Sequence, residues 1–138
     1  MIKKSLMLGG MLLALSLVTT PAMAAATSAQ IACVGVAVAT REAAIDSAVM
    51  THTQAVGAAY STRAIELAGA YSNTTAKTLQ AGVKVSWADF NKSVKSAATA
   101  WRTNRNTAWS TFRTAVKACK APSTVSDSAN SSSEVSGQ

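Results

Sequence analysis

The sequence predicts an all-α fold, a long antiparallel helical hairpin closed by a disulfide between Cys33 and Cys119. Three observations predict it. Two Ala-rich segments repeat their apolar residues at helical period, and no stretch keeps the alternation of a strand between turn signals. Residue 76 lies midway between the two cysteines, beside the likeliest turn, so a hairpin brings both cysteines level at its open end.

Residues 1–24 have the layout of a secretory signal peptide. Lys3 and Lys4 precede an apolar run from Leu6 to Val18, and Ala22-Met23-Ala24 ends it with a small-x-small site. The run is shorter than the roughly 20 residues that span a bilayer. Cleavage after Ala24 is therefore expected, with a retained anchor as the alternative, and the mature chain is expected to be secreted, periplasmic or at the cell surface. In that oxidising setting two cysteines read as a disulfide, within the chain or between two chains. A link within the chain closes a loop of about 85 residues, worth at most roughly 4–5 kcal/mol. His52 is the only histidine, which leaves too few ligands for a metal site, and no cofactor is expected.

The first helix starts near Thr27, since Thr27-Ser28-Ala29-Gln30 fits a capping box. At 100° per residue, Val34, Ile45, Val49, His52, Val56, Tyr60 and Leu67 fall within about 40° of Val38. Arg63 intrudes on this stripe, and Cys33 lies about 140° from it, as if the helix frayed, bent or began later. Gly69 to Thr75 is the turn, with Asn73 a candidate cap for the second helix.

The second helix is more regular. Measured from Trp87, Leu79, Val83, Phe90, Val94, Trp101, Trp109, Phe112, Val116 and Cys119 fall between about −80° and +40°. The three tryptophans are expected in the core seam, received by the alanines and valines of the first helix. Gly57 and Gly82 leave open a bundle of three or four shorter helices. The hairpin domain is expected over 25–120. Pro122 ends the second helix, and the Ser-rich tail, 121–138, is expected to be disordered.

Charge is sorted unevenly along this framework. The whole chain carries +7, and nine bases stand against Asp89 alone between Lys77 and Lys120. Eight of them, Lys77, Lys84, Lys92, Lys95, Arg102, Arg113, Lys117 and Lys120, fall within about 60–140° of Trp87, while Arg105 lies in the apolar arc. Three pairs seven residues apart recur every 18 residues, which is five helical turns, so the stripe runs straight for about 65 Å. A second echo, Trp87-Ala88-Asp89-Phe90 with Trp109-Ser110-Thr111-Phe112, has an offset of 22. An antiparallel register would also set Asp46 beside Arg105.

The stripe is the candidate anion-binding site. It fits an anionic polymer, either nucleic acid or an envelope polymer, through counterion release, or an anionic membrane surface. The alternative is a solvated face, partly neutralised by Glu42, Asp46 and Glu66, on a structural or protein-partner module. No Ser or Cys has a suitably placed base, and His52 falls on the seam of the first helix, so an enzyme is not expected. Oligomeric state stays open.

Cys33 followed by Arg41-Glu42-Ala43-Ala44-Ile45, together with the run Trp109 to Cys119, resembles a group of small secreted helical proteins of small-genome, Patescibacteria-type bacteria. The resemblance covers most of the mature chain and implies an exported helical hairpin without an assigned activity. Those proteins tend to carry more basic residues near the turn than this chain does.

Overall fold

The computed structural model describes residues 25–136. The expected leader and the last two residues lie outside them. Two helices, α1 (Ser28–Tyr71) and α2 (Ala76–Ala118), are joined by a four-residue turn and packed along their length. Two 3-10 turns, Ser123–Val125 and Ser128–Asn130, and a short α3 (Ser131–Ser136) follow. The Cys33–Cys119 disulfide, with Cα atoms 5.8 Å apart, joins the ends distant from the turn and makes the hairpin antiparallel.

Both helices run unbroken through their glycines. Gly82 is where α1 and α2 approach most tightly among the glycines, since a Cβ there would stand 2.9 Å from Ala70 Cβ. The α1 start carries the expected capping box, in which Thr27 and Gln30 satisfy each other's backbone N–H. The Gln30 amide also donates to the Lys120 carbonyl at 2.7 Å, a second tie at the disulfide end. Thr75, not Asn73, caps α2. Asn73 instead donates its amide to the last carbonyls of α1, Gly69 and Ala70, which lack partners in their own helix.

The seam explains the two residues that misfit the predicted stripe. The buried residues of α1 are Val34, Ala37, Arg41, Ile45, Ala48, Ala59 and Ala70. They fall between about −100° and −20° of Val38, so the contact face is rotated toward Cys33. No fraying or late start is needed. Alanines carry the close approach, while Val49 and Tyr60, the far edge of the predicted stripe, are exposed.

An eleven-residue period underlies this seam. Ala37, Ala48, Ala59 and Ala70 on α1, and Ser86, Ala97 and Ala108 on α2, stand eleven apart and are all buried. The large side chains Leu79, Phe90, Trp101 and Phe112 have the same spacing. Eleven residues in three turns is about 3.67 per turn, so the seam holds one side of the helix with a slow drift of about 20° per repeat. Two such repeats make the 22-residue echo, which α1 shares: Val34-Gly35, Ala37 and Thr40-Arg41 return as Val56-Gly57, Ala59 and Thr62-Arg63.

The main apolar cluster sits toward the disulfide end, where Ala37, Ile45, Ala108, Trp109 and Phe112 are buried and Val38, Trp101, Ala115 and Val116 pack on them. Of the three tryptophans only Trp109 is in the core. Trp101 is half-buried, and Trp87 is 44 % exposed.

The tail, Ser-rich and with little apolar surface to bury, forms no long element among its described residues. Where it meets the hairpin it does so through its acidic residues, Asp127 at Arg41 and Glu134 at Arg105 and Trp109.

Candidate functional site

The predicted basic stripe is displayed along α2. Lys77, Lys84, Lys92, Lys95, Arg102, Arg113, Lys117 and Lys120 are all exposed, and none forms an ion pair among the described residues. Arg102 touches only Thr99, one turn before it. Glu42 is engaged by Arg41 on its own helix. Asp46 does not meet Arg105, which donates instead to the Glu134 carbonyl and the Asn106 side chain. Of the acids expected to neutralise the stripe across the hairpin, Glu42 is directed to Arg41, Asp46 is exposed and Glu66 is half-buried, and none pairs with a stripe residue.

A row of basic side chains on α1, Arg41, His52 and Arg63, lies in the seam against the aromatic rings of α2. Arg41, His52 and Arg63 stand eleven residues apart on α1 and meet Phe112, Trp101 and Phe90, which stand eleven apart in the reverse order on α2. The outer two layers are near copies. Trp109 and Phe112 are edge-to-face at 5.6 Å and 84°, with the Arg41 guanidinium 4.2 and 4.4 Å from their centroids. Trp87 and Phe90 are edge-to-face at 5.8 Å and 88°, with the Arg63 guanidinium 4.5 and 4.3 Å away. Lying over a ring face lets a guanidinium occupy an apolar seam while its N–H groups, which point outward in its own plane, remain available for hydrogen bonds.

The first layer is closed by carboxylates. Arg41, only 5 % exposed, donates both terminal nitrogens to Asp127 at 2.8 Å in a two-pronged fork and also bonds Glu42. The hydrogen bonds from Arg41 hold the Asp127 carboxyl below its usual range, against the opposing effect of burial, and the Arg41 guanidinium is correspondingly raised. The Trp109 indole N–H donates to Glu134 Oε2 at 2.6 Å. Sequence reasoning missed this layer because a helical wheel scores arginine as a surface residue. The eleven-residue spacing of Arg41, His52 and Arg63 is the signal that could have found it.

Two open grooves flank the seam. The larger, about 700 Å³, runs beside the disulfide between Cys33–Thr51 and Asn104–Cys119 and is walled mostly by Ala, Thr and Ser. The other runs past Ala59, Glu66, Asp89 and Lys92. Glu66 Oε2 and Trp101 Nε1 are buried without a hydrogen-bond partner. No group of three or more potential metal ligands exists among the described residues, and no described helix is long and apolar enough to cross a membrane.

No protein-family model matches the chain, and no curated protein or solved structure matches it either.

Proposed function

We propose that the protein acts by binding, as an exported, non-enzymatic component of the cell envelope or surface that holds anionic polymers on the basic face of α2. The observation that supports this reading is the set of eight exposed, ion-pair-free cations along one side of a helix about 65 Å long. A polyanion lying along that face releases counterions from each phosphate or sulfate it presents, giving affinity without sequence preference. The leader-like start and the Cys33–Cys119 disulfide support an oxidising location. The tryptophans stack on arginines and phenylalanines, so the affinity comes from charge rather than from base stacking.

Titration of the oxidised protein with duplex DNA, and separately with anionic vesicles, tests the reading. Binding should weaken steeply between low and physiological salt. Changing Lys84, Lys92, Lys95 and Arg102 together to Gln should lower the slope of log K against log salt by about 0.9 for each phosphate that is no longer neutralised. Absence of binding to both at low salt would sink it.

A second reading, a structural or protein-partner module whose basic face only keeps it soluble, is favoured by the open groove beside the disulfide. Apolar contacts with a protein partner would be far less salt-dependent.

A further inference from the structure

The second cage lacks what closes the first. By the 22-residue repeat, Ala64 stands where the first layer has Glu42, and Val83 where it has Arg105. The tail acids Asp127 and Glu134 meet the first layer, and Arg63 and the Trp87 indole N–H have no acceptor among the described residues. Arg63 is half-buried, held in place by Tyr60, Trp87 and Phe90 at 4.8, 4.5 and 4.3 Å. Tyr60 replaces Val38 of the first layer and adds a third ring, 4.9 Å from Phe90. Pinning a guanidinium before its partner arrives removes part of the ordering cost of binding.

The surroundings favour an anion. Lys84 lies one turn before Trp87 on the same exposed side, and Lys95 continues the positive face. Asp89 and Glu66 line the groove between the helices with Lys92, and Arg63 is not part of that lining. Tyr60 and Trp87 are exposed at the cage. In the first layer, by contrast, Trp109 is buried and hydrogen-bonded to Glu134.

We propose that the Arg63–Trp87 cage is a binding site for a carboxylate of an acidic peptide segment in a partner protein, taken as the first cage takes the chain's own tail. An Asp or Glu side chain forks onto Arg63, and a second acceptor meets the indole N–H of Trp87. The tail gives the recognition pattern: two acids seven residues apart in a Ser-rich segment of low bulk, Asp127 and Glu134. The site borders the basic face at Lys84, but its fork and its indole donor, Arg63 and Trp87, are not among the residues of that face.

The test uses the full oxidised protein and, as probe, a synthetic peptide copying residues 122–138. The tethered tail holds the first cage at a high effective concentration, so added peptide reports on the second. One equivalent should bind, with a change in tryptophan emission. Arg63→Gln should weaken binding at least about tenfold, since the fork is a charge-assisted pair. Trp87→Phe keeps the ring and removes the N–H, and should weaken it several-fold. The peptide with Asn and Gln at its two acids should lose binding as Arg63→Gln does, and Arg102→Gln should retain it within about twofold. Circular dichroism checks that each variant is folded, and Trp87→Phe carries the test if Arg63→Gln is not. Equal affinity across these variants, or no binding at about 1 mM peptide, would overturn the site. Sedimentation without peptide should show a monomer; a dimer lost in Arg63→Gln would overturn the partner assignment in favour of a second copy.

Discussion

The two halves of the hairpin are built on one local pattern and end in different states. In the disulfide half, Arg41 lies over Trp109 and Phe112, is forked by Asp127 and sits within the main apolar cluster. In the turn half, Arg63 lies over Trp87 and Phe90 with the same ring geometry and, among the described residues, no carboxylate partner. Repeating a sequence reproduces its aromatic–cation stack, because that stack depends on spacing within two helices. It does not reproduce the stack's environment, which depends on what else the chain brings there. Here that is a disulfide, Glu42, Arg105 and the tail.

The sharpest way to break the comparison is to remove its equivalent rings. Phe112 is 1 % exposed and Phe90 half-buried. Phe112→Ala should cost about 3–5 kcal/mol in urea unfolding, the range for a fully buried aromatic, and Phe90→Ala less than half of that. Equal losses would mean that both halves share one core.

Glycines give a second contrast. At Gly82 a Cβ would collide with Ala70, whereas at Gly57 it meets nothing within 4 Å. Gly57→Ala should stabilise by roughly 0.5–1 kcal/mol through helix propensity. Gly82→Ala should destabilise by about 1–2 kcal/mol, as overpacking does. If both raise the unfolding midpoint, the helices are not held so closely near the turn.

The smallest effect concerns acid. The Asp127 carboxyl is depressed by Arg41, so its contribution is complete above the ordinary aspartate range, near about pH 4. That contribution is lost as pH falls through the lower folded value. With the Asp127 side chain 37 % exposed, it is worth about 1 kcal/mol or less. Limited proteolysis should show the tail released in acid, and Asp127→Asn should show it released already at neutral pH, with the turn half unchanged.

Much of this architecture was legible in the sequence. The hairpin and its disulfide follow from two cysteines placed evenly about a turn and from alanine-rich helical periodicity. The capping box at Thr27 was readable because it is local. Arg41 was not, because its burial depends on two rings some 70 residues away and on a tail acid that composition alone assigns to solvent. Trp87 was expected in the core with Trp109; drift of the eleven-residue repeat and the missing tail leave it at the surface. Asn73 was read as a cap for the wrong helix, since an Asn in a four-residue turn can serve either end.

The measurement that bears most directly on the paired cages is the hydrogen exchange of the indole N–H groups by NMR, comparing Trp109 with Trp87. The Trp109 proton should exchange slowly and speed up in Glu134→Gln, whereas the Trp87 proton should exchange fast in both proteins. Equal exchange of the two indoles, or a Trp109 proton indifferent to Glu134→Gln, would contradict a closed first cage and an open second one.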